Sequence, residues 1–184
     1  MEDFIGRYEC SSELCDEIIQ YYNENKELHN QGVSGNTVDK LTKDSVDLLI
    51  EQPNIPIVFE KYQSHLFDSL QNYTEKYDSL KTMSSFGITE QYQIQHYPIG
   101  GGFKDWHQER DGGFNFSIKR ILVFMTYLND VDDGGTMFRH LNLIEKAVKG
   151  KTLIFSADWF HNHKGQISQT KEKTIVTGWY SHIW

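Results

Sequence analysis

Cysteine is nearly absent from this 184-residue chain: Cys10 and Cys15, close together near the N-terminus, are the only two. A disulfide-stapled secreted fold is not expected from one such pair. A thiolate zinc site or iron–sulfur cluster supplied by this chain alone is excluded. Basic charge is also short. Eighteen Lys and Arg against 26 Asp and Glu give a formal net charge of -8. Broad nucleic-acid affinity needs a basic footprint, so no nucleic-acid partner is expected. No apolar run approaches the about 18 residues of a spanning helix. The acidic opening MEDFIGRYECSSELCDE lacks the basic start and apolar run of a secretory leader. A cytoplasmic protein with no membrane association is the expectation.

What is present divides by period. The length suits one domain, residues 1–184, with a sizeable core. Residues 1–85 read as helical support. Leu14, Ile18, Ile19 and Tyr22 recur on one side after Ser11 and Ser12, either of which suits a helix cap. HNQGVSGN reads as a loop. Pro56 suits the start of a longer helix, whose stripe is Phe59, Tyr62, Leu66, Leu70, Tyr73 and Tyr77. That stripe needs a surface to lie against, and the sheet that follows is the expected partner.

Residues 86–184 read as strands. Tyr92, Ile94 and His96 alternate with glutamines, and KRILVFMTYL (119–128) is apolar enough for an interior strand covered on both faces. DVDDGGT reads as a turn, TMF, AVKG and TLIF as short strands, and KTIVTGWYSHIW as the last strand. The expected fold is mainly β, a jelly-roll (double-stranded β-helix, cupin-like barrel) with N-terminal supporting helices.

Two segments carry chemistry. In an extended WHQE, His107 and Glu109 share a face. In FHNHKG, His161 and His163 have the same spacing. Two imidazoles and one carboxylate hold non-haem Fe(II) and leave coordination positions open. The same residue types also suit zinc with a water, or another cupin-like metal site. A surface H-x-E pair has the same spelling. Lys173, ten residues after His163, starts the last strand. Inside an apolar barrel it would need an anionic partner, which a dicarboxylate supplies; on the surface it would be one more charge of TKEKT.

Residues 92–184 resemble the prolyl 4-hydroxylase-like branch of the iron- and 2-oxoglutarate-dependent dioxygenases. The residues that carry the resemblance are Tyr97, Gly100, His107 and Glu109; Arg120, Tyr127, Leu128 and Asn129; Gly134, Gly135 and Phe138; Lys149, Gly150, Leu153 and Phe155; His163, Gly165 and Lys173; and Trp179. Thr152 stands at a usually apolar place. The resemblance implies that His107, Glu109 and His163 hold Fe(II), and that Lys173 pairs with the distal carboxylate of 2-oxoglutarate. Tyr97, and Tyr127 from the facing strand, are implied as further donors to that carboxylate. Lys in place of Arg is typical of this branch rather than of the nucleic-acid demethylases. O2 and ascorbate as reductant are implied too. So is hydroxylation of a peptidyl proline, coupled to decarboxylation of 2-oxoglutarate to succinate and CO2. A free amino acid or other small molecule is the alternative substrate, and a metal-binding barrel without turnover the third reading. Two departures stand out. The usual acidic ligand is Asp, whereas this chain has Glu109, with Asp111 two residues on. The H-x-H offers a second His, but only His163 keeps the spacing to Gly165 and Lys173. The Gly-rich stretch with Phe103, Trp106, Phe114 and Phe116 suits a substrate lid.

Overall fold

A computed structural model describes residues 2–35, 37–51, 55–110 and 116–183, without the Phe116 side chain. In chain order the elements begin with β1 (Gly6–Glu9), α1 (Ser12–Glu24), β2 (His29–Gln31), β3 (Lys43–Asp44), β4 (Val46–Ile50) and α2 (Ile57–Lys76). They continue through β5 (Phe86–Gly87), β6 (Tyr92–Tyr97), β7 (Gly102–Phe103), β8 (Arg120–Tyr127) and β9 (Val131–Phe138). The last are β10 (Leu143–Ala147), β11 (Lys151–Ser156), β12 (His163–Gly165) and β13 (Lys173–His182). The major sheet runs β1-β11-β8-β13-β6-β4-β2, with β5 on β13; a minor sheet runs β10-β9-β12, and β3 pairs β7. This two-layer, mainly β architecture is the expected jelly-roll.

The helices cover the outer face of the major sheet. Ser11 caps α1 by accepting from the Leu14 N–H, and Pro56 precedes α2. Phe59, Tyr62, Leu66 and Tyr73 of α2 are buried against Ile94, Phe124, Val176 and Tyr180 of the sheet. The expected stripe therefore lies on the expected partner, with Leu70 and Tyr77 at its margin. Strand β8 alternates between two cores. Leu122 and Phe124 pack in the helix-side cluster, while Val123, Met125 and Tyr127 pack in a second cluster with Phe138, Phe155 and Ile175. Both faces are buried, which is why its sequence is apolar throughout.

Two readings need correction. Residues 1–85 are not purely helical: β1, β2 and β4 extend both edges of the major sheet, and His29–Gln31 is strand where loop was expected. These strands are short. In β4 the core-facing alternation is interrupted by buried Asp47, whose carboxylate is 2.6 Å from the buried Lys43 ammonium and also accepts from Ser45. DVDDGGT is not a turn: all of it after Asp130 lies within β9. Its glycines serve close approach: a Cβ on Gly134 would lie 2.5 Å from Val131, and one on Gly135 would strike the Glu145 carbonyl of β10.

Candidate metal centre

The segment before β8 and the start of β12 meet in one antiparallel bridge between His107 and His163. Each donates its backbone N–H to the other's carbonyl, at 2.9 and 2.8 Å. Glu109 is held to the same region because its N–H donates to the Ala157 carbonyl at 3.1 Å. The His107 and Glu109 side chains thus reach a common point without belonging to a regular strand.

At that point the Glu109 Oε1 lies 3.5 Å from His107 Nε2 and 3.7 Å from His163 Nε2. The three ligand atoms all fall within 4.8 Å of one another. The far ring nitrogens fix the tautomers. His107 Nδ1 is 3.0 Å from the Asp105 carbonyl and His163 Nδ1 is 2.8 Å from the His161 carbonyl. A carbonyl only accepts, so each Nδ1 carries the proton and each Nε2 presents a lone pair. Burial, reinforced by His107 nearby, lowers the His163 pKa to about 3. Burial raises the Glu109 pKa, but His107 and His163, when protonated, together with the Arg120 guanidinium outweigh it and bring the carboxyl to about 2; in their neutral form the same rings present the Nε2 lone pairs. A carboxylate and imidazoles presenting Nε2 lone pairs form a donor set that fits ferrous iron.

The other imidazole of the H-x-H motif is turned away. His161 is buried, with Nδ1 2.7 Å from Ser156 Oγ and Nε2 2.9 Å from the Asp3 carbonyl. Both nitrogens are occupied. Asp111, Gly112, Gly113 and Phe114 lie outside the described residues, as does the Phe116 side chain, so the lid reading extends only to Phe103 and Trp106. Phe103 stacks on His107 with ring centroids 3.8 Å apart. Trp106 carries Lys164 and Arg139 over its ring, at 4.8 and 5.7 Å.

A cavity of about 950 Å³ contains the three side chains. It is also lined by Lys173, Tyr97 and Tyr127, so the register brings together every residue singled out for a cosubstrate. Lys173 pairs Tyr97 across β13 and β6 and is 5% exposed. Its ammonium donates to the carbonyls of Gly134 at 2.8 Å and Gln166 at 3.3 Å. No carboxylate lies within ion-pair distance among the described residues. Burial lowers its pKa to about 8, against the pull of Asp133. A buried cation whose hydrogen bonds, among the described residues, go only to carbonyls is poised for an anion. The Tyr127 hydroxyl is 2.6 Å from Thr136 Oγ1 in the same cavity. The Tyr97 hydroxyl donates to Gln95, so its single proton is already engaged.

Arg120 and Trp179, known from the sequence only as motif residues, meet Glu109 here. Trp179 Nε1 donates to Glu109 Oε2 at 3.0 Å, and an Arg120 nitrogen is 3.6 Å from the same oxygen. The strand reading places both residues on strands, but the contact with Glu109 depends on the fold that brings the preceding segment against them.

A two-layer antiparallel barrel thus carries an inward-facing His-x-Glu…His cluster that could hold a metal ion. Residues 92–181 match the family model described as the 2OG-Fe(II) oxygenase superfamily, so this segment is similar to that superfamily. Its fold is similar to that of a collagen prolyl hydroxylase of Paramecium bursaria Chlorella virus-1, solved with 2-oxoglutarate (2OG). The TM-score is 0.75 at 19% identity, over 98% of this chain and 97% of that one. A Pseudomonas putida prolyl-4-hydroxylase aligns with TM-score 0.74 at 16% identity, over 97% and 92% of the two chains. A Trichoplax adhaerens prolyl hydroxylase, solved with a hypoxia inducible factor peptide fragment, aligns with TM-score 0.71 at 17% identity, over 97% and 84%. No curated protein matches the sequence.

Proposed function

We propose that the chain is an Fe(II)- and 2-oxoglutarate-dependent hydroxylase acting on a prolyl residue of a peptide or protein. The observation that carries this is the shared cavity: a carboxylate between two imidazole lone pairs, together with a buried lysine that lacks an anionic partner among the described residues. His107, Glu109 and His163 would hold the iron, and Lys173 with Tyr127 the cosubstrate. When bound, the iron with 2-oxoglutarate and O2 supplies the oxidising power, giving succinate, CO2 and a hydroxylated C–H carbon.

The protein's own contribution is position and charge. The carbonyls of Asp105 and His161 hold the two imidazoles in the ligating tautomer. Lys173 attracts the distal carboxylate in a water-poor site, where a charge-assisted hydrogen bond is strong. Tyr127 can donate to the same carboxylate by turning its hydroxyl from Thr136. Tyr97 lies under the Lys173 ammonium, 5.1 Å from ring centroid to Nζ, and serves there as a cation-stabilising face. Phe103 shields His107 from solvent. Ascorbate is the reductant expected to keep the metal ferrous. Cys10 and Cys15 are free and buried, which suits a reducing compartment, and we assign the cytoplasm. Among the described residues no helix is long and apolar enough to cross a membrane.

Support for proline comes from the prolyl hydroxylases of similar fold, and support for a peptide from the hypoxia inducible factor fragment bound by one of them. The test is succinate release by the iron-loaded protein, with and without proline-containing peptides. Stimulation by peptide, with a mass gain of one oxygen on proline, is expected. Hydroxylation of free proline with no peptide response would reject the peptide reading.

A further inference from the structure

A glutamate ligand reaches one methylene further than an aspartate, and its carboxylate has more ways to turn. Here its two oxygens face different partners. Oε1 lies toward both imidazoles, while Oε2 is bound from behind by the Trp179 N–H at 3.0 Å and approached by Arg120 at 3.6 Å. Arg120 also donates to the Glu109 backbone carbonyl at 3.3 Å. The guanidinium lies 3.4 Å from the centroid of the Trp179 ring, so each fixes the other. Glu90 holds Arg120 in turn, with its Oε2 2.7 Å from the NH2 nitrogen, and Ser181 donates to Glu90 at 2.7 Å. Ser181 pairs Arg120 across β13 and β8, which anchors the chain of contacts in the major sheet.

We infer that Trp179 and Arg120 are positioning residues for Glu109: they hold Oε2 outward, so that the longer side chain offers Oε1 as a single donor. The H-x-E variant is then matched to its surroundings, and an aspartate at 109 would fall short of the indole N–H. This rests on the reading that Glu109 ligates the metal.

The experiment measures Mn(II) affinity of the full chain by chelator competition, alongside its thermal unfolding. Trp179→Phe keeps the ring and removes the N–H; it should stay folded and bind Mn(II) about tenfold more weakly. Glu109→Asp should also bind more weakly, and Trp179→Phe added to it should cause no further loss, because the contact is already gone. A purely packing role would lower the unfolding temperature of Trp179→Phe and leave Mn(II) affinity alone. Wild-type affinity in folded Trp179→Phe, or losses that multiply in the double variant, would overturn the inference. Glu109→Ala separates the two levels. If it retains wild-type Mn(II) affinity, the ligand reading itself fails; if it loses Mn(II) while Trp179→Phe does not, only the positioning role fails. Should Trp179→Phe not fold, Arg120→Gln with Glu90→Gln removes the guanidinium together with the carboxylate that holds it, and is judged by the same loss of affinity.

Discussion

Replacing Lys173 with methionine should separate stability from cosubstrate binding. The ammonium is 5% exposed, has no carboxylate at ion-pair distance among the described residues, and titrates near 8 instead of 10.5 because burial disfavours its charge. One pKa unit corresponds to about 1.4 kcal/mol, so keeping this group charged at pH 7 costs the folded protein about 3 kcal/mol. Methionine removes that cost but abandons the carbonyls of Gly134 and Gln166, at about 1 kcal/mol each. The ligand-free Lys173→Met protein should therefore be as stable as wild type, or about 1 kcal/mol more so, in urea at pH 7. The pH dependence has a definite sign. Between pH 8 and about 10.5 the folded lysine has lost its proton while the unfolded one keeps it. Wild-type stability should rise with pH there relative to the variant, and the gap at pH 7 should close. Binding moves the other way. Losing a charge-assisted bond worth about 1.5–3 kcal/mol weakens 2-oxoglutarate by about tenfold to about 150-fold. Calorimetric titration of the Mn(II)-loaded proteins reads this directly. A variant destabilised by more than about 2 kcal/mol that binds 2-oxoglutarate normally would refute the reasoning.

His163→Ala should abolish Mn(II) binding, whereas His161→Ala should retain it and lose about 1–3 kcal/mol of stability, because it removes the hydrogen bonds to Ser156 and to the Asp3 carbonyl, and Ser156 keeps only Asp158; metal content and urea melts distinguish the two, and the reverse pattern would exchange their roles. Asp47→Ala leaves Lys43 charged and unpaired in the interior and should cost about 3–5 kcal/mol, read as a lower urea midpoint. Gly135→Ala places a methyl against the Glu145 carbonyl and should destabilise the pairing of β9 with β10, seen as faster amide exchange in those strands.

How much was legible depended on whether a residue's role is local. The stripe from Phe59 to Tyr73 is periodic, so α2 and its buried face follow from spacing. The apolar run of β8 predicts two covered faces for the same reason. His107, Glu109, His163 and Lys173 stand at intervals that few folds require, and the structure brings them to one cavity. Strands β1, β2 and β4 were not legible. They are short, and Asp47 in β4 is buried only because Lys43 and Ser45 meet it, a pairing invisible in a hydropathy pattern. The β9 glycines spell a turn, but their function is to let β10 and Val131 approach. Arg120 and Trp179 were legible as motif residues; their hold on Glu109 required the fold that packs the segment before β8 against β13.

The central claim is a coupled oxygen transfer from O2 to a prolyl carbon and to 2-oxoglutarate. The most direct measurement supplies ¹⁸O2 to the iron-loaded protein with 2-oxoglutarate and a proline-containing peptide, followed by mass spectrometry of both products. One labelled oxygen in succinate and one in hydroxyproline, in equal amounts and both lost in His163→Ala, is the expected result. Unlabelled succinate, or no consumption of 2-oxoglutarate by metal-loaded protein, would contradict it.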